Sequence, residues 1–185
     1  MAEQLKVLGI SGSLRKASFN TMALKAAQKL VPEGMTIEIA DISQIPLYNE
    51  DLKAVGNPES VETFRQQIKA ADGVLFVSPE YNYSIPGVLK NAFDWASRPP
   101  EQPFNEKPGA IMGASPGMLG TARMQYDMRK SAIFVNMFMM PRPEVMIAKA
   151  AEKFDAEGNL IDDKTKQVIT DFLIGFQSWI LRVRS

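Results

Sequence analysis

Short apolar runs recur along this chain, each followed by a polar loop and then by a stretch with helical spacing. Lys6-Val7-Leu8-Gly9-Ile10, Gly73-Val74-Leu75-Phe76-Val77 and Gly109-Ala110-Ile111-Met112-Gly113-Ala114 are the clearest of these runs. A strand without polar alternation is buried on both faces, the condition of a central strand in a parallel sheet covered by helices. Residues 36–40 alternate with period two, as a strand with one wetter face does, and residues 144–147 make a short fifth strand. Between them, residues 20–30 place Met22, Ala23, Ala26, Ala27 and Leu30 on one helical face, with Pro32 and Gly34 as the stop signal. Residues 60–71 align Val61, Phe64 and Ile68, and residues 86–95 open on Pro86, a residue suited to a first helical turn. Further helices are expected over about residues 120–132 and 162–181, the last with Val168, Phe172, Phe176 and Trp179 as its apolar stripe.

Strand, loop and helix in repetition imply a parallel sheet with helices on both faces. No low-complexity segment, repeat or shift in composition divides the 185 residues, so residues 1–185 are expected to form a single domain. Five strands favour the flavodoxin-like order, an α/β three-layer sandwich, over the larger dinucleotide-binding fold. Residues 41–58 are too long for a simple connection, which marks them as a candidate functional segment.

Two absences narrow the chemistry. The chain has no Cys and no His, which removes disulfides, thiolate nucleophiles, imidazole bases and Cys- or His-ligated metals. No metal site is expected, and no side chain is assigned as a catalyst. Any reaction must then need little from its side chains, which points towards a cofactor that carries the chemistry itself. Lys plus Arg and Asp plus Glu each total 21, so the basic excess of a nucleic-acid or membrane-surface binder is missing. The first residues, Met-Ala-Glu-Gln-Leu-Lys, carry an acid and no long apolar core. Neither a secretory leader nor a membrane span is therefore expected, and a cytoplasmic protein is the default.

In open sheets of this kind ligands bind outside the carboxyl ends of the strands, where strand order reverses. Three loops meet there. The first, Ser11-Gly12-Ser13-Leu14-Arg15-Lys16-Ala17-Ser18-Phe19-Asn20-Thr21, matches neither GxGxxG nor the Walker pattern. It offers hydroxyls at Ser11, Ser13 and Ser18, the Asn20 amide and the Arg15 guanidinium before a helix N-terminus, whose N–H groups attract anions. A phosphate monoester, with about −1.5 to −2 charges, suits that cradle; the bland alternative is a capped helix with a solvated arginine. The second loop, Ser78-Pro79-Glu80-Tyr81-Asn82-Tyr83-Ser84-Ile85-Pro86-Gly87, sets two tyrosines on a stiffened backbone, a platform for a planar heteroaromatic ring or simply a cover for the sheet end. In the third, Ser115-Pro116-Gly117-Met118-Leu119-Gly120-Thr121, two glycines permit close approach to a ligand or simply form a turn.

The runs GISGSLRKASFN, PEYNYSIPGVLKNAFDW and GASPGMLGTARMQ resemble the NADPH-dependent FMN reductase family, and within it the bacterial quinone/chromate reductase branch. The likeness extends over nearly the whole chain, apart from about the last 20 residues, which carry no motif. It implies that Ser11, Ser13, Arg15, Ser18 and Asn20 hold the FMN phosphate together with the Leu14 backbone. It implies that Pro79, Glu80, Tyr81 and Asn82 line the isoalloxazine ring through main-chain groups, and that Ser115 and Gly117 approach it from the other side. The expected activity is ping-pong: hydride from NADPH or NADH to FMN, then two-electron reduction of small-molecule acceptors. Quinones lead, followed by chromate, other oxidised metals, azo or nitro compounds and free flavin.

Three rivals compete. A flavodoxin-type electron carrier is typically strongly acidic, unlike this chain. A receiver domain needs an aspartate where Ser78 stands. A phosphosugar- or nucleotide-binding module would lack redox activity. The family resemblance also implies a homodimer or homotetramer. The apolar residues 134–140 would then serve as core or as interface, and Arg123 and Tyr126 would reach Glu144 across the boundary. Arg98 is a candidate to reach a neighbouring subunit's ligand.

Overall fold

A computed structural model describes residues 4–184. The expectation about a leader rests partly on residues 1–3, which lie outside the described residues. The elements run β1 (Leu5–Ser11), α1 (Phe19–Lys29), β2 (Met35–Ala40), α2 (Glu50–Ala54), α3 (Glu59–Ala70), β3 (Gly73–Val77), α4 (Gly87–Ala96), β4 (Pro108–Ala114), α5 (Ala122–Phe134), β5 (Phe138–Met139), β6 (Val145–Ile147) and α6 (Asp163–Arg184). All described strand pairs are parallel, in the order β2-β1-β3-β4. The fifth position is shared. Two-residue β5 pairs with Pro108 and Gly109 at the start of β4, and β6 pairs with Met112, Gly113 and Ala114 at its end.

Every residue of β3 and β4 is buried, as their unbroken apolar runs require. On one face, Val7, Leu75, Val77 and Met112 pack with Ala23, Leu24 and Ala27 of α1 and Phe172, Leu173 and Phe176 of α6. On the other, Ile10, Val74, Phe76 and Ile111 pack with Phe64 and Ile68 of α3, Leu89 and Trp95 of α4, and Met124 and Met128 of α5. These five helices therefore each lend one apolar stripe to one side of the sheet, giving the three-layer, flavodoxin-like α/β sandwich.

Some sequence expectations shift. Pro86 stands at the N-cap of α4, with φ −58° and ψ 142°, so it closes the preceding loop instead of opening the helix. Helix α5 starts two residues later than expected and ends at Phe134. The buried stripe of α6 is Ile169, Phe172, Leu173, Phe176 and Ile180; Val168 is 47% exposed, one position off that stripe. The long polar segment holds α2 and is docked onto α4: the Asn91 amide and the Trp95 indole N–H both donate to the Pro46 carbonyl.

Candidate functional site

The parallel register brings the three loops together. Ser11 is paired with Val77, and Val77 with Met112, so β1, β3 and β4 end at one level. The Gly12 N–H donates to the Val77 carbonyl at 2.9 Å, and the Ser78 N–H to the Met112 carbonyl at 3.2 Å. Ser78 is fully buried between two glycines. A Cβ on Gly12 would lie 2.1 Å from Ser78 Oγ, and one on Gly113 2.4 Å from the Ser78 carbonyl and 2.0 Å from Thr121 Oγ1. Contacts that short are forbidden, so the backbones of the three loops lock together only because both positions are glycine.

In the first loop Ser18 caps α1. Its Oγ accepts from the N–H groups of Asn20 (3.2 Å) and Thr21 (3.4 Å), leaving its own proton to donate. Ser11 Oγ lies 2.8 Å from Thr21 Oγ1, and Ser13 Oγ accepts from the Arg15 N–H. The Arg15 guanidinium lies over the Phe19 ring, 5.6 Å from its centroid, at the exposed edge of the cradle, and Leu14 is exposed beside it. Asn20 also joins two of the loops. It is 3% exposed, and its amide meets the Ala114 backbone, donating to the carbonyl at 2.9 Å and accepting from the N–H at 2.8 Å. These two bonds tie α1 to the end of β4 and leave the second N–H of the amide to donate.

In the second loop, residues 81–84 form a two-residue hairpin turn. The Tyr81 N–H donates to the Ser84 carbonyl at 3.1 Å and the Ser84 N–H to the Tyr81 carbonyl at 3.0 Å. Asn82 and Tyr83 have φ of 51° and 67°, the left-handed region that L residues adopt at a cost. Tyr81 and Tyr83 are largely exposed. The Glu80 carboxylate turns away towards α5, where it accepts from the Arg123 and Met124 N–H groups and from the Arg123 guanidinium. The Glu80 carboxylate is thereby engaged within the chain. The Ser84 hydroxyl donates to Asp127, and with Lys130 it holds that carboxyl below the ordinary aspartate range.

In the third loop Ser115 Oγ accepts from the Gly117 N–H at 3.1 Å. The Lys149 N–H donates to the Gly117 carbonyl, and the Ala150 N–H to that of Ser115, so this loop is strapped to the segment after β6. A Cβ on Gly117 would meet only Ser115 Oγ, at 3.5 Å. The chain's own packing therefore does not demand glycine there, and its outer side is open to a ligand. Met118 and Leu119 are exposed beside it. Residues 115 and 117 thus meet the first loop through Ala114, to which Asn20 is tied.

Around the site, residues singled out in the sequence have contacts within the chain. Arg123 is paired with Glu80 at 2.9 Å within the chain; it is Arg129 that feels the charge of Glu144. Arg98 is held over the Tyr48 and Phe134 rings of its own chain. Residues 134–140 are mixed: Val135, Met137 and Met140 are buried, whereas Phe134 is 69% exposed. The roles of Ser78, Tyr83 and Arg123 have no local sequence signal, because their partners lie in distant segments of the chain.

A capped helix N-terminus, a stiff aromatic turn and an open glycine corner, meeting at the ends of adjacent parallel strands, define a flavodoxin-like α/β protein with an anion-receptive ligand site. The chain belongs to the NADPH-dependent FMN reductase family, whose profile matches residues 5–152. It is 58% identical over 184 residues to an NAD(P)H-dependent FMN reductase of Pseudomonas aeruginosa, covering 100% of both chains. It is 43% identical over 187 residues to a quinone reductase of Escherichia coli K12, again covering 100% of both. Among solved structures it is similar to FerB, a flavoenzyme NAD(P)H:(acceptor) oxidoreductase from Paracoccus denitrificans, with a TM-score of 0.89 and 38% identity over 96% of this chain and 98% of that one.

Membership assigns the cofactors: FMN, with NADPH or NADH as co-substrate, and with them an oxidoreductase activity. The donor set fits a flavin phosphate, being made of hydroxyls, one guanidinium and a helix N-terminus, with no carboxylate side chain in residues 11–21.

Proposed function

We propose that this protein is an FMN-dependent NAD(P)H:quinone oxidoreductase with a ping-pong cycle, formed by one domain over residues 1–185. The interlocked loops around Ser78 carry the reading. They present a helix N-terminus rich in hydroxyls next to an aromatic turn, the two things a phosphorylated planar cofactor needs. When bound, FMN supplies two-electron chemistry, accepting a hydride from the nicotinamide and passing two electrons to an acceptor.

The chain's part is to bind, orient and tune. Ser11, Ser13, Arg15, Ser18 and Asn20, with the Leu14 backbone, hold the phosphate. Arg15 supplies the charge-assisted contact, worth about ten- to a hundredfold in affinity. Pro79, Glu80, Tyr81 and Asn82 line the ring from the second loop, and Ser115 and Gly117 from the third, while Asn20 fixes the first loop to the third. Main-chain groups of residues 79–82 placed at the ring's polar edge would favour its reduced, more anionic form. No acid or base is assigned. Quinones are the leading acceptors, supported by the similarity to a quinone reductase; chromate, other oxidised metals, azo and nitro compounds and free flavin are secondary ones.

Among the described residues no helix is long and apolar enough to cross a membrane, which fits the proposed cytoplasmic location. Tyr126, Ile133 and Phe134, exposed along α5, support a homodimer or homotetramer.

The test is the visible spectrum of the purified protein under anaerobic conditions. Flavin bands that bleach with NADPH or NADH and return with a quinone are expected, as are parallel lines in double-reciprocal plots. Bands that resist both nicotinamides would make it an electron carrier. The absence of bands after soaking with FMN would overturn the reading of all three loops.

A further inference from the structure

The turn at residues 81–84 carries an unexplained cost. Two-residue hairpins with positive φ at both central positions favour Asn followed by Gly. Asn82 fits that preference, but Tyr83, at φ 67°, does not. Nor does burial of the ring compensate, since Tyr83 is 67% exposed. The compensation comes from α5. Glu80 Oε2 accepts from the N–H groups of Arg123 (2.9 Å) and Met124 (3.2 Å), in the first turn of that helix. Glu80 Oε1 accepts from the Arg123 guanidinium at 2.9 Å. The same guanidinium lies over the Tyr83 ring, 3.7 Å from its centroid. On the other side of the turn, Ser84 Oγ donates to Asp127 Oδ2 at 2.6 Å, one helical turn further on. The start of α5 therefore grips the turn before it, at its centre and after it.

We propose that Arg123 is a positioning residue: through Glu80 and Tyr83 it latches the turn at residues 81–84 in its left-handed conformation and so presents the main chain of residues 79–82 to the flavin. The proposal rests on the reading that this loop lines the FMN ring. Its guanidinium holds the Glu80 carboxylate through one nitrogen and lies against an aromatic face of its own chain, so it reaches the loop through Glu80 and Tyr83.

Two measurements on the purified holoprotein test the latch: release of flavin fluorescence on dilution, which gives the Kd for FMN, and amide hydrogen exchange at Tyr81 and Ser84. Arg123→Ala is expected to weaken FMN binding about tenfold, the size of one partly exposed charge-assisted contact, and to speed exchange at both amides. Adding Tyr83→Gly, which creates the Asn-Gly turn that holds its shape unaided, is expected to bring the Kd back to within about threefold of the unmodified protein. A purely structural arginine would not be rescued by removing a side chain elsewhere. Unchanged FMN affinity in Arg123→Ala, or no recovery in the double variant, overturns the latch. If Arg123→Ala fails to fold, a folded, FMN-binding double variant is the same rescue, and a double variant that also fails to fold overturns it. Should the unmodified protein bind no FMN, the flavin reading falls. The exchange rates at Tyr81 and Ser84 need no flavin and still decide whether Arg123 holds the turn.

Discussion

At the scale of single residues, the site is held by contacts across long stretches of sequence. The Asn20 amide satisfies both the N–H and the carbonyl of Ala114, 94 positions away, where both residues are buried. Asn20→Ala leaves two buried backbone groups without partners, at about 1–3 kcal/mol each. A loss of about 2–4 kcal/mol in urea unfolding is expected, together with weaker FMN retention, because the first and third loops part. Asn20→Asp does not rescue it, since a carboxylate oxygen would face the Ala114 carbonyl. Unchanged stability in Asn20→Ala would refute this role. The residue types in the loops were legible from sequence: hydroxyls, an arginine and two tyrosines in the right places. What each polar atom does was not, because Glu80 meets Arg123 43 positions away and Asn20 meets Ala114 more than twice as far off.

At the scale of elements, legibility followed burial. Strand β3 was read to the residue and β4 to within one, because strands covered on both faces have no polar alternation to confuse. Strand β5 escaped notice, since two residues carry no periodicity. The start of α6 offers a pH test. Asp162 accepts from the Thr165 N–H and hydroxyl and from Lys153, and these contacts lower its pKa to about 2. A lowered folded-state pKa contributes stability above the unfolded value, here 3.8, and that contribution is lost as pH falls through about 2. Asp162→Asn should therefore unfold at lower urea than the unmodified protein at pH 7, with the gap closing below pH 4. A gap that stays constant with pH would assign the difference to geometry instead of charge.

For the whole molecule, the alternation of strands and helices was enough to give the layered architecture, and the match of residues 5–152 to one family agrees with it. The assembly was less legible, because a surface stripe and a core stripe read alike in one dimension. Residues 134–140 illustrate this, holding buried Met137 and Met140 alongside exposed Phe134. If the exposed face of α5 joins copies, Ile133→Glu with Phe134→Glu should lower the particle mass in sedimentation while leaving the circular dichroism of the fold intact. An unchanged mass would move the interface elsewhere.

The packing of Gly12, Ser78 and Gly113 has a consequence for how such a protein diversifies. A floor that admits no added methyl group resists mutation, because a side chain at Gly12 or Gly113 would force the loops apart. Around it, Leu14, Met118 and Leu119 stand exposed and make few demands on folding. Under the proposed function, new acceptors are acquired by editing that rim, and selection can change the protein's preferences without putting its cofactor at risk.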